Sequence, residues 1–293
     1  MNRSVKISNW VDWTILLFLS IVWGSSFILI KKALISFNEI ELASLRIAIS
    51  TIISIPIVIY YFKKIDWKKW HYFLLVGLAG NGIPPFLFSF AQTEVSSSLA
   101  GVLNTLTPIF TLLLALWFFR QKLNGKNTLG VVIGFAGTIL IAYSGNMNFD
   151  GSIIYIGLIV IATILYALNI NAVRFFFKDT KPLLILAVSF VLFGPFSFVI
   201  LWNSSIVETF QTNPYVWKSF SAVLVLAIFA TMIATMYFFR LLQRTNTVFA
   251  SSVSYIIPLV ALFWGILDGE PFNIIYIISL ILILAGVHLT RQK

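Results

Sequence analysis

Nine side chains in an otherwise apolar chain of 293 residues carry polar or aromatic groups placed to hold a small molecule: Trp23, Ser26, Arg46, Asn81, Asn104, Tyr166, Asn169, Ser254 and Tyr255. Each falls inside a long hydrophobic run. A polar group there must find a hydrogen bond, so it is expected to face the interior of a helix bundle. Asparagine is the hardest to hide, with two donors as well as an acceptor, and this puts Asn81, Asn104 and Asn169 first. Serine and threonine can bond the carbonyl one turn back and let helices approach closely, which accounts for Ser25, Ser252 and Thr235 without a ligand. Trp23, Tyr166 and Tyr255 either stack on the apolar part of a ligand or simply pack. Arg46 is the only basic residue well inside a run. Five residues past Glu41, it lies about 8 Å deep at about 1.5 Å per residue. There it either takes a substrate carboxylate or turns outward to a carbonyl or to Glu41.

Other chemistries are poorly served. With no cysteine there is no disulfide, thiolate metal site or Cys nucleophile, and the two histidines, His71 and His288, lie at different helix ends. No metal, cofactor or catalytic role is expected. An intramembrane enzyme would need paired acids, His with an acid, or a metal set, and the available groups are scattered singly. No carboxylate sits at the centre of a run, so exchange of cations through a buried acid is not expected. A carrier of nucleotide-sugar or phosphorylated substrates would call for several buried Lys or Arg. A receptor or scaffold would instead predict a closed bundle without a central cavity.

The elements that position these residues are membrane helices. Hydrophobic residues make up 59% and charged residues 10% of the chain, with mean hydropathy +0.97, outside the range of water-soluble domains. Apolar runs long enough for the roughly 30 Å hydrocarbon layer fall near 13–30, 41–62, 70–91, 97–118, 127–144, 152–174, 183–202, 219–239, 247–267 and 272–290. The first follows Arg3 and Lys6 without a small-x-small cleavage site and reads as a span rather than a signal peptide. Trp10, Trp13, Trp67, Trp70, Tyr143, Tyr155, Trp202 and Trp217 cluster near span ends, as at a headgroup interface.

The net charge of +10 follows the loops. Sixteen of the twenty basic residues fall in the termini and alternate loops, among them Lys63, Lys64, Lys68, Lys69, Arg120, Lys122, Lys126, Arg174, Lys178, Lys181, Arg240 and Arg244. Lys31, Lys32 and Lys218 lie on the other side with Glu39, Glu41, Glu94, Asp150, Glu208, Asp268 and Glu270. The positive-inside rule puts both termini in the cytoplasm. The basic excess is therefore a topology signal, and nucleic acid is not an expected partner.

The chain also resembles itself. A shift of 150 sets Pro108 on Pro258, a shift of 143 sets Trp23-Gly24 on Tyr166-Ala167, and a shift of 139 sets Pro56 on Pro195. A shift of 149 sets Gly137 on Gly286. The expected fold is an all-α integral membrane protein of ten transmembrane helices, built as two inverted five-helix repeats over 1–148 and 149–293. An odd number of spans per unit turns the second upside down, an architecture suited to alternating access at a midplane site. Pro108 and Pro258 should free the carbonyls of Asn104 and Ser254. Gly80-Asn81-Gly82-Ile83-Pro84-Pro85 should break the third span. Gly130, Gly134 and Gly137 form a small-residue stripe for close helix contact, within one chain or across a homodimer seam.

Trp23-Gly24-Ser25-Ser26-Phe27, Arg46, the Pro108 and Pro258 spans and the following Gly269-Glu270 together resemble the EamA-like family of the drug/metabolite transporter superfamily, over essentially the whole chain. The resemblance implies a multi-pass carrier in the inner (plasma) membrane that exports amino acids or other small metabolites. One departure is that a Gly-Glu pair usual after the fourth span is here Arg120-Gln121. The lack of a mid-span acid points to neutral or zwitterionic substrates with an apolar part.

Overall fold

The computed structural model describes residues 10–119, 149–245, 253–270 and 274–291, with isolated positions between 125 and 140 and at 250. Every regular element among them is helical. In lipid this follows from backbone chemistry, because a helix satisfies its N–H and C=O groups within one segment. Six helices are long and apolar enough to cross a membrane: Trp10–Ala33, Glu39–Lys64, Trp67–Ala91, Ser97–Leu116, Ile153–Phe176 and Val216–Arg244. Pro182–Phe193 and Pro195–Trp202 form a seventh, bent by 40° where Pro195 follows Gly194. Two shorter apolar helices complete the described set. The protein is a multi-pass membrane protein. Much of the run read at 127–144, and the Arg120-Gln121 departure, lie outside the described residues.

The helices are α1 (Trp10–Ala33), α2 (Glu39–Tyr61), α3 (Trp70–Gly77), α4 (Ile83–Ala91), α5 (Ser97–Leu103), α6 (Thr107–Phe119) and α7 (Phe149–Phe176). They continue with α8 (Pro182–Phe193), α9 (Pro195–Trp202), α10 (Ile206–Thr212), α11 (Val216–Val225), α12 (Ala234–Arg244), α13 (Val253–Leu267) and α14 (Ile274–Arg291). Local signals start several of them. Asn38 and Glu41 form a capping box on α2, and Ser96 accepts from the Leu99 N–H at the head of α5.

Two spans carry a wide π turn at mid-length, and they differ in how readable that was. Between α3 and α4 the π segment Leu78–Gly82 keeps the third span continuous, with the Ile83 N–H bonding the Leu78 carbonyl. The expected break at Gly80–Pro85 is thus corrected. The wider register keeps the backbone helical up to Pro84 and Pro85, which bring no N–H of their own. Between α11 and α12 lies Leu226–Ile233, a second π segment without a glycine or proline to announce it.

Packing pairs the two ends of the chain. α1 lies against α13, α11 and α12, while α7 lies against α6, α4 and α3, and α2 packs on α8 and α9. Small residues permit these approaches. A Cβ at Gly24 would sit 2.5 Å from Cβ of Val260 and 2.9 Å from the Ile257 carbonyl. The glycine stripe is used within the chain: Gly286 packs on the backbone of Gly130 and Gly134, and Gly137 faces Leu282 and Ile283. Ile52, Ile55, Ile59, Leu259, Phe263, Ile277 and Ile281 stay exposed, as lipid-facing side chains must.

Candidate functional site

The packed helices leave a cavity of about 130 Å³ among the first, second, third, fourth, sixth, eighth and ninth runs. Trp23, Ser26, Arg46, Asn81, Asn104, Tyr166, Asn169 and Ser254 all line it. The side chain of Tyr255, the ninth residue singled out from sequence, lies outside the described residues, as do Ser251 and Ser252. Phe27, Phe88, Thr107, Phe238 and Phe239 also line the cavity, and nothing distinguished them from the many other phenylalanines and threonines of the chain. Thr235, readable as a packing residue, lines it too.

Of the alternatives open for Arg46, the structure overturns the outward turn to Glu41. Glu41 instead accepts the Asn38 N–H in the cap of α2. Arg46 Nε donates to Oγ1 of Thr231 at 2.6 Å, and Thr231 in turn donates to the Leu226 carbonyl at 2.9 Å. The reason lies in the span Val216–Arg244. The wide turn of Leu226–Ile233 places Thr231 where its hydroxyl both satisfies a backbone carbonyl and receives the guanidinium, so the charge is anchored inward.

The other polar groups divide into satisfied and unsatisfied. Trp23 Nε1 donates to the Ala230 carbonyl at 2.9 Å, again on the second π segment. Asn169 Nδ2 donates to the Val76 carbonyl at 2.6 Å, just before the first π segment. Ser26 bonds back to the Val22 carbonyl at 2.9 Å. The carbonyl of Asn104, expected to be free because Pro108 cannot donate, accepts the Thr107 N–H in the 3-10 turn Asn104–Leu106, so that expectation is also corrected. The side-chain atoms Asn104 Oδ1 and Thr107 Oγ1, by contrast, are enclosed without a hydrogen-bond partner among the described residues. Aromatic rings form the walls, with Trp23 edge-on to Phe238 at 5.1 Å and Tyr166 stacked 6.0 Å from Phe88. Among the described lining residues Arg46 is the single formal charge.

Beyond the cavity, an ionic cluster joins the end of α1 to the turn after α13. Lys31 Nζ lies 2.8 Å from Asp268 Oδ2 and 3.1 Å from Glu270 Oε1, and Lys32 pairs with Asp268. Glu270 also accepts the N–H groups of Ser97 and Ser98, at 3.0 and 3.1 Å, and the Ser98 hydroxyl at 2.7 Å. Gly269, with φ 78°, makes the turn that presents it. Burial works to raise the Glu270 carboxyl, but the Ser98, Ser97 and Lys31 donors together hold it below its ordinary range. Hydrogen bonds from Lys31 and Lys32 lower the Asp268 carboxyl. At another helix junction, Arg244 Nε lies 3.2 Å from Oδ1 of Asp12.

A multi-pass helical bundle enclosing a cavity of aromatic walls and unmet polar groups is the architecture of a membrane carrier. The chain belongs to the EamA-like transporter family, whose pattern matches it twice, over residues 12–143 and 153–292. It is similar to an uncharacterized transporter of Archaeoglobus fulgidus, 25% identical over 96% of this chain and 99% of that one. It is also similar to the uncharacterized inner membrane transporter YedA of Escherichia coli K12, 27% identical over 94% and 89%. A solved crystal structure shares the fold at a TM-score of 0.65 with 17% identity, covering 97% of each chain.

Proposed function

We propose that the protein is a secondary transporter that exports small neutral or zwitterionic metabolites such as amino acids, by alternating access at the cavity around Arg46. The observation that carries this is the cavity itself. It lies between helices of both halves of the chain, holds polar groups left without partners, and is walled by aromatic rings suited to an apolar side chain. A scaffold would have no use for unpaired buried groups, each of which costs stability.

The reading includes ten spans arranged as two inverted repeats, with both termini in the cytoplasm of an inner-membrane protein. Reciprocal packing supports it: α1 meets the eighth and ninth runs while α7 meets the third and fourth. The two π segments, Leu78–Gly82 and Leu226–Ile233, occupy matching places in the third and eighth runs. The double family match supports it as well. In such a carrier the Lys31–Glu270 cluster closes one face while the other admits substrate.

The test is uptake of pooled radiolabelled amino acids by proteoliposomes, comparing wild type with an Asn81→Ala, Asn104→Ala double variant. Saturable wild-type flux that the variant loses is the expected result. Flux no greater than that of empty liposomes for every compound rejects amino acids as the cargo.

A further inference from the structure

Several hydrogen-bond donors line the cavity without an acceptor among the described residues. Arg46 uses its Nε–H on Thr231, and neither terminal guanidinium nitrogen has a partner among the described residues. The side-chain amide of Asn81, a residue 6% exposed, makes no hydrogen bond with a described residue. Nor does the Tyr166 hydroxyl, which lies within electrostatic reach of Arg46. These donors come from the second, third and sixth runs and line one cavity. Unmet acceptors come from the fourth run, as Asn104 Oδ1 and Thr107 Oγ1. No Asp or Glu is among the described lining residues.

A buried cation without a counter-charge is costly, and the planar guanidinium is shaped to take a carboxylate through two parallel N–H bonds. We infer that the cavity recognises one carboxylate of its cargo, bound by the terminal nitrogens of Arg46 with Asn81 and Tyr166 as supporting donors. This inference rests on the transport reading above. The ammonium of an α-amino acid is received by Asn104 Oδ1 and Thr107 Oγ1, and its apolar side chain lies against the aromatic walls. Amines and quaternary ammonium compounds are excluded, because Arg46 repels them and no acid offsets it.

The test is equilibrium binding to the purified full-length protein in lipid nanodiscs, with two matched series. One is L-leucine, 4-methylpentanoate, L-leucinamide and isoamylamine. The other is L-phenylalanine, 3-phenylpropionate, L-phenylalaninamide and 2-phenylethylamine. The expected order places the amino acid first and the deaminated acid next, with amide and amine weaker by on the order of 100-fold, the usual penalty for losing one partner of a buried charged pair. Arg46→Gln should weaken amino-acid binding by a similar factor and erase the preference for acid over amide. The wild-type series decides the matter even if that variant fails to fold. Amide or amine binding as tight as the acid overturns the carboxylate site and leaves the transport reading standing. If no member binds, the site is overturned, and pooled-metabolite uptake then tells whether the transport reading falls with it.

Discussion

Lys31 Nζ and Glu270 Oε1 lie 3.1 Å apart although 239 positions separate them in the chain. Through Glu270 the contact reaches Ser97 and Ser98, so one carboxylate joins the end of α1, the start of α5 and the turn after α13. Its side chain is 4% exposed, so these bonds are sheltered from solvent competition.

Glu270→Gln therefore removes one of the two carboxylates that face Lys31, leaving Asp268, and sets an amide N–H₂ among donors. The expected cost is about 1–3 kcal/mol of stability, the range for leaving buried polar groups unmet. The face bearing Lys31 should also open more often. Because the chain lacks cysteine, a Ser26→Cys reporter can measure this without background. Thiol reagent added on that face should label the cavity faster in Glu270→Gln than in the reporter alone, and equal rates would remove the cluster's role as a closure.

The same carboxylates set a pH dependence. Glu270 and Asp268 titrate lower when folded than their ordinary values of 4.5 and 3.8. Between the folded and ordinary values the unfolded chain holds more protons, so stability rises with pH. The contribution is complete above about pH 4.5 and is lost as pH falls through the lower folded values. Thermal melts in detergent should show wild type destabilised below that pH, with a flatter profile for Glu270→Gln. Identical profiles would count against the assignment.

Gly80→Ala should destabilise the protein, because the added Cβ would collide with the Asn169 amide. That amide is held on the Val76 carbonyl at 2.6 Å, so the collision is not cheaply relieved. A cost of about 1–3 kcal/mol is expected from overpacking. In an Asn169→Ala background the same substitution should cost much less, and a double-mutant cycle without coupling would contradict the contact.

Thr231→Val keeps the volume of the side chain and removes its hydroxyl, leaving both Arg46 Nε and the Leu226 carbonyl without their partner. A loss of about 1–3 kcal/mol should follow, with Thr231→Ser retaining most of the stability. Equal destabilisation by Val and Ser would point to packing of the methyl group instead. Melting of the purified variants measures the difference.

Membrane character, the positions of the six clear spans and the inward facing of Asn81, Asn104 and Asn169 were legible from the amino-acid order, because lipid imposes on each segment a requirement that its own composition must meet. The apolar runs near 41–62, 70–91 and 97–118 match helices and spans found there within a few residues. Tertiary structure decided the rest. The π turn at Leu226–Ile233 has no local signal, and only that turn brings Thr231 under Arg46. The Asn104 carbonyl is satisfied by a 3-10 turn that proline position alone does not specify. Glu270 finds Lys31, Ser97 and Ser98 only once α1, α5 and α13 are packed. Hydropathy is a property of neighbours in sequence, whereas helical register and the partner of a buried charge depend on which distant side chains packing brings within about 3 Å.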